Sequence, residues 1–152
     1  MAAHGMDSSE VMDREIEIVQ LVLKAGRGNL TAQRALCAFG TEIGLEAEET
    51  GRDGFSAFYD AALFARMAAA RGATRDRGNL LSLLSILARK YAVSGDVETA
   101  SQIEGEALAV VESIANAGGK GCEDAATIIA GIGGIASPDA MIWAKRFKGV
   151  WG

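Results

Sequence analysis

Histidine and cysteine, two residue types that commonly perform acid-base or metal chemistry, are rare in this sequence. Its one histidine is His4, close to the N-terminus. Since histidine is the most common proton-transfer group, we expect no histidine-based catalysis inside the fold. Cys37 and Cys122 lack a neighbouring histidine and the spacing of zinc ligands. Both fall within apolar helical patterns, so we interpret them as core residues and predict no enzyme activity, metal site or cofactor.

Two glycine-rich stretches and one acidic stretch are further candidates for ligand binding. GGKGCED at 118–124 and AGIGG at 130–134 match neither common phosphate-loop pattern, and neither follows a predicted strand. We therefore interpret both as helix-breaking turns. The carboxylates between 42 and 53 lack the alternating ligand pattern of a calcium loop, which favours a solvated acidic connection. With a net charge of −5, the chain also lacks the basic surface that nucleic acids require.

Aromatic side chains near the C-terminus are the strongest candidates for a binding surface. Trp143, Phe147 and Trp151 recur at intervals of four residues, in a chain with 6% aromatic residues. Tryptophan is enriched among the residues that dominate protein interfaces. Helical repeat proteins also need a terminal helix that covers the last repeat. Two interpretations stay open: a capping helix, or a surface for a partner or a second copy.

The termini and the apolar runs indicate where the chain resides. The first ten residues lack the positive charge and apolar stretch of a secretory signal. We interpret residues 1–7 either as a disordered terminus or as a remnant of expression, and in the second case Met6 would be the natural start. The longest uncharged run, residues 125–138, has 14 residues, and a bilayer span needs about 20. With no membrane span and too few cysteines for a disulfide framework, a cytoplasmic location is predicted.

Apolar residues recur at intervals of three and four, and alternating patterns are missing, which predicts an all-α fold. Seven helices are expected. The first begins after Asp7 and the second ends at Gly44. Their predicted buried residues are Met12, Ile16, Val19 and Leu23 in the first and Ala32, Leu36, Phe39 and Ile43 in the second.

The fourth predicted helix, from about Asp76 to Ser94, is apolar around much of its circumference, which is typical of a central helix. The third and fifth have narrower stripes: Phe58, Ala62, Ala65 and Ala69, with Phe55, Tyr59, Leu63 and Met67 beside them, and then Ile103, Ala107, Val110 and Ile114. A short sixth helix includes Cys122. The seventh, at 138–148, has Pro138 at its first position.

Three turns share a pattern of small residues: AGRG at 25–28, AARG at 69–72 and NAG at 116–118. Gly28 and Gly72 are 44 residues apart, and Gly118 follows after 46 more. Alanine permits close helix packing and glycine supplies the left-handed backbone that ends a helix. Two helices per period of 20–50 residues are typical of an α-solenoid. The alternative is that the three similar turns arise by chance in a chain rich in alanine and glycine.

This pattern resembles the Sel1-like repeats, relatives of the tetratricopeptide repeats. The best match is residues 24–44, where the matching positions are Ala25, Gly28, Ala32, Gln33 and Leu36. The second unit keeps Ala69, Gly72, Leu80, Tyr91 and Gly95 but has Asp76 where alanine is expected. The third keeps Ala117, Gly118 and the small Cys122. The resemblance implies a right-handed superhelix of antiparallel helix pairs whose concave face binds peptides or proteins, without catalytic residues.

The predicted architecture is an α-solenoid of about three antiparallel helix pairs, in units of about 8–50, 53–95 and 96–136, plus a C-terminal capping helix at 138–148. The predicted function is a protein-interaction module that binds neither nucleic acid nor membrane. Its predicted groove residues are Asp13, Glu17, Gln20, Asp60, Arg66, Gln102 and Glu106. The alternatives are a homo-oligomeric structural protein and a compact bundle that binds an apolar small molecule beside Phe58, Tyr59, Met67 and Leu84.

Overall fold

The computed structural model describes residues 8–117, which form five α-helices. These are α1 (Ser8–Gly26), α2 (Leu30–Glu49), α3 (Phe55–Ala69), α4 (Thr74–Val93) and α5 (Val97–Ala117). No strand occurs within residues 8–117, so the all-α prediction is confirmed for this range. Loops of three to five residues join the helices, and each helix packs against the next in the chain. The predicted sixth and seventh helices lie outside the described residues.

Glycines with positive φ follow each of the first four helices. Gly28 and Gly72, both predicted from the sequence, have φ of 93° and 94°. Gly51 and Gly95 have φ of 79° and 92° and follow α2 and α4, and they too are 44 residues apart. A left-handed residue turns the chain away so that the next N–H groups can bond the last carbonyls. The turns of α1–α2 and α3–α4 therefore repeat with one period.

The predicted end of α2 at Gly44 is wrong. The helix continues to Glu49, so that Glu46 and Glu48 lie in its last turns and not in a connection. Gly44 faces the ring of Phe58: a Cβ atom built on Gly44 would lie 2.5 Å from Phe58 Cε1. This glycine permits close contact between α2 and α3 and does not end a helix.

The centre of the core is α4, as its all-round apolar pattern predicted. Leu81, Leu84 and Leu87 are fully buried, and α4 packs against both α3 and α5. From α3 the core receives Phe58 and a row of alanines, whose small side chains permit close approach of the helices. Ala107 and Ile114 of α5 are buried as predicted, whereas Val111 is buried in place of the predicted Val110 and Ile103, which are partly buried.

The predicted buried stripe of α1 is wrong. Met12, Ile16, Val19 and Leu23 are exposed, and α1 instead turns Ile18, Leu21 and Ala25 toward α2. The sequence pattern of α1 does not show which side is buried, because both the side that carries Met12 and Ile16 and the side that carries Ile18 and Leu21 are apolar. In α2, Ala32 and Leu36 are buried as predicted, but Phe39 is half-buried and Ile43 is exposed.

Side chains also connect helices that are two apart in the chain. Arg34 of α2 donates two hydrogen bonds, of 2.9 and 2.7 Å, to the carboxylate of Asp76 in α4. Phe64 of α3 packs against the main core and also against the smaller cluster of α1 and α2. Arg71, beside the α3–α4 turn, donates to the carbonyl oxygen of Gly28 in the α1–α2 turn. The two helix pairs therefore contact each other through an ion pair, an aromatic ring and their turns.

Candidate functional site: apolar stripes on α1 and α3

The largest exposed apolar feature of α3 is a row of three side chains. Tyr59, Leu63 and Met67 follow one another at intervals of four residues and are 40–43% exposed. On a helix, residues four apart are neighbours on one face. The opposite face of α3 carries Phe58, Ala62 and Ala65 into the core. We call Tyr59, Leu63 and Met67 the α3 stripe.

A second exposed row lies on α1. Met12, Ile16, Val19 and Leu23 are 51–60% exposed, and their spacing of four, three and four places them on one face. We call these four residues the α1 stripe. Single exposed apolar residues are ordinary, whereas a contiguous exposed apolar row is a candidate for an interaction surface.

Two residues of the α1 stripe precede two residues of the α3 stripe by the same number of positions. Val19 and Leu63 are 44 residues apart, as are Leu23 and Met67, which is the spacing of Gly28 and Gly72. Positions 44 residues apart on α1 and α3 are therefore exposed and apolar in these two cases. Phe64, Ile18 and Leu21 all pack against the cluster of Ala25, Ala32 and Leu36, so α3 also lies next to the cluster that α1 and α2 form.

Most of the predicted groove residues are exposed. Asp13, Glu17 and Gln20 lie on α1, on the helix side opposite the one that Val11 and Val22 occupy. Asp60 lies on α3, between two residues of the α3 stripe, and Gln102 is exposed on α5. The predicted Trp143, Phe147 and Trp151 lie outside the described residues.

Arg66 and Glu106, predicted as separate groove residues, bind each other. Arg66 Nε and Nη2 donate to the carboxylate oxygens of Glu106 at 2.6 and 2.9 Å, which joins α3 to α5. The bonds to Glu106 raise the pKa of Arg66. Each side chain remains about one-third exposed, so the pair has a structural role while still presenting a polar edge to solvent.

Lys90 forms a second polar cluster at the end of the molecule where α2 stops. Its ammonium group contacts the carboxylate of Glu48 and lies 3.1 Å from Asp53 Oδ1. The bond to Glu48, followed by that to Asp53, raises the pKa of Lys90, and the Lys90 bond lowers the pKa of Asp53. A cleft of about 750 Å³ lies beside this cluster, with Phe55 and Tyr91 in its lining. Because these charges pair with one another, we interpret the cluster as a structural contact that joins the end of α2 and the α2–α3 loop to α4.

The other candidates for chemistry have structural positions. Cys37 is a buried free thiol in the main core, and burial raises its pKa, so at neutral pH it is protonated. Within residues 8–117, no group of three or more His, Cys, Asp or Glu side chains is placed to hold a metal ion. No helix in the same range has the length and apolarity to cross a bilayer.

The four residues suggested for a small-molecule pocket do not share one environment. Phe58 and Leu84 are buried in the core, whereas Tyr59 and Met67 are exposed in the α3 stripe. The sequence pattern places Tyr59, Leu63 and Met67 beside the buried row of α3 and does not predict that they are exposed. The signal that identifies the stripe is its spacing of four residues on the side of α3 away from the alanines.

A scan of protein-family models, a search of curated proteins and a search of solved structures each find no match to this chain. The resemblance to Sel1-like repeats accordingly stays a prediction made from the residues.

Proposed function

We propose that this chain is a protein-interaction module built from two-helix repeats of the Sel1-like kind, with the α1 and α3 stripes as its binding face. The observation that carries the proposal is the exposure of apolar residues at equivalent positions of α1 and α3. Exposed apolar surface on consecutive repeats is costly in water unless a partner covers it.

The solenoid arrangement, which is part of the proposal, has three supports. Two pairs of helix-ending glycines have the same 44-residue spacing. Ion pairs join α2 to α4 and α3 to α5, as expected when each helix pair stacks on the next. Asp76, which departs from the Sel1-like pattern, occupies the position 44 residues after the buried Ala32 and is itself buried, with Arg34 as its partner.

The partner that fits this face is a peptide or protein with an apolar helix or strand edge. Asp13, Glu17 and Asp60 border the stripes with negative charge, which favours a partner carrying neighbouring Lys or Arg residues. A buried reduced cysteine agrees with a cytoplasmic location, which we include in the proposal.

The proposal is tested with peptides selected by the protein from a random library displayed on phage. Their dissociation constants are then measured by fluorescence anisotropy for the natural chain and for a Leu63→Glu, Met67→Glu variant. We expect at least tenfold weaker binding by the variant, because a carboxylate would be buried against apolar peptide side chains.

Val97→Glu is the matched control. Val97 is 70% exposed at the start of α5 and belongs to neither stripe, so this apolar-to-acidic change should alter the dissociation constant less than twofold. Failure to select any peptide, or equal binding by the α3 variant and the control, would contradict the proposed function.

A further inference from the structure

The apolar surface of α1 is wider than its neighbour α2 can cover. Ile18, Leu21 and Ala25 pack on the α1–α2 cluster, while the α1 stripe faces away from it. Val11 and Val22, each 42% exposed, lie between these two sides and make them continuous. Among the described helices, α2, α3 and α4 each have a packed neighbour on two sides, whereas α1 packs chiefly on α2.

The spacing within the α1 stripe is that of a helix-pairing seam. Met12, Ile16, Val19 and Leu23 follow the four-three-four steps of a heptad pattern, in which apolar residues insert between those of a facing helix. The α3 stripe has steps of four and four, which rotate around the helix and do not form such a seam. The α1 stripe is therefore suited to another helix of similar length.

Charge along α1 indicates the orientation of that second helix. The first half carries Glu10, Asp13, Glu15 and Glu17, with Arg14 among them, whereas the end of the helix and its turn carry Lys24 and Arg27. A parallel copy would place acidic residues beside acidic residues. An antiparallel copy places the acidic half of each helix beside the basic end of the other and opposes the two helix dipoles.

We propose that two copies of this chain associate through their α1 stripes, with the two α1 helices antiparallel about a twofold axis. Such an isologous contact uses the same patch on both copies. If the twofold axis passes between residues 17 and 18, Ile16 of one copy lies against Val19 of the second copy. Met12 likewise lies against Leu23 of the second copy. This inference rests on the proposed function, because it names the partner of the α1 part of the binding face and leaves the α3 stripe to other partners.

The oligomeric state is measured by sedimentation velocity over a dilution series of the full chain. We expect a species of twice the 15.8 kDa chain mass that dissociates on dilution. Ile16→Glu with Val19→Glu should raise the dimer dissociation constant at least tenfold, since four carboxylates would meet in the seam. Val97→Glu should leave the constant unchanged within twofold, and circular dichroism should show equal helix content in all three proteins.

The orientation is tested by disulfide formation in a Cys37→Ala, Cys122→Ala background. A chain with Met12→Cys is mixed with a chain carrying Leu23→Cys and is oxidised gently. Antiparallel pairing predicts disulfides between the two different chains, whereas a parallel pair would link identical chains. Predominant linkage of identical chains overturns the proposed geometry.

Other occupants of the stripe give different results. A natural chain that stays monomeric at all concentrations, or a dimer that persists in the α1 variant, overturns the inference. In a monomer, a shift in tryptophan fluorescence caused by Ile16→Glu with Val19→Glu would identify residues 118–152 as the cover, because both tryptophans lie there. Peptide binding through the α3 stripe is measured separately, so loss of the dimer leaves the proposed function standing.

Discussion

Gly44 and Gly105 both lie inside helices, but their surroundings differ. A Cβ atom on Gly44 would lie 2.5 Å from Phe58 Cε1, whereas nothing lies within 4 Å of one built on Gly105. Phe58 is held between Gly44 and Gly54 and is buried, so its ring has little room to move. The same residue type therefore has a packing role at one site and none at the other.

We predict opposite effects of alanine at these two positions. Gly44→Ala should lower the free energy of unfolding by about 1–3 kcal/mol, because the added methyl displaces the Phe58 ring. Gly105→Ala should raise it by about 0.5–1 kcal/mol, since alanine restricts the unfolded chain and favours the helix. Urea unfolding followed by circular dichroism measures both. Equal effects of the two substitutions would mean that Phe58 does not occupy the space beside Gly44.

At the scale of elements, the ion pair between Arg34 and Asp76 joins α2 to α4. Asp76 is 1% exposed, and both of its carboxylate oxygens accept hydrogen bonds from Arg34. The bonds from Arg34 outweigh the effect of burial and lower the pKa of Asp76. The ionised carboxylate is therefore the form that the folded protein stabilises.

Asp76→Asn should destabilise the protein in a pH-dependent way. Because the folded pKa lies below the unfolded one, the ion pair contributes fully above about pH 4 and is lost as the pH falls through the folded pKa. The variant should lose about 1–3 kcal/mol of unfolding free energy at pH 7, and its difference from the natural chain should narrow toward pH 3. Asp60→Asn, at an exposed position of α3, is the control. A difference that is the same at pH 7 and pH 3 would contradict the assigned charge state.

Helix periods and helix-ending glycines could be predicted from the sequence, since they depend on neighbours in the chain. Gly28 and Gly72 were identified because left-handed turns favour glycine whatever packs nearby. The function of Gly44 depends on Phe58, a contact between two helices that no local pattern encodes. Likewise the buried side of α1 depends on where α2 lies, and a helix that is apolar on two sides does not reveal which one its neighbour covers.

The sequence predicts polar groove residues, whereas the candidate site that the structure suggests consists of apolar residues. The predicted groove residues lie on α1, α3 and α5 and are exposed or, for Arg66 and Glu106, partly exposed, while their binding role stays a prediction. The sequence pattern places the α1 stripe in the core and Tyr59 and Met67 beside an alternative apolar pocket, because exposure is a property of the assembled helices. Arg66 and Glu106 are 40 residues apart in the chain, and their pairing requires the packing of α3 beside α5.

At the scale of the whole molecule, Phe64 is the side chain within residues 8–117 that packs against both apolar clusters. It packs on the main core of α3, α4 and α5 and on the cluster formed by Ala25, Ala32 and Leu36. Phe55, on the same helix, packs on the main core and meets Tyr91 edge-to-face with ring centroids 5.3 Å apart. The two phenylalanines therefore differ in whether they pack on the smaller cluster formed by α1 and α2.

Stacked helix pairs open separately when the contacts between them weaken. Phe64→Ala should lower the unfolding free energy by about 2–3 kcal/mol, less than for a fully buried phenylalanine, and should accelerate amide hydrogen exchange in α1 and α2 more than in α4. Phe55→Ala should instead accelerate exchange in α3 and α4 and leave α1 near its natural rate. Mass spectrometry of peptic fragments resolves these regions. Uniform acceleration of all helices by Phe64→Ala would show a single cooperative unit and would contradict stacking of separable pairs.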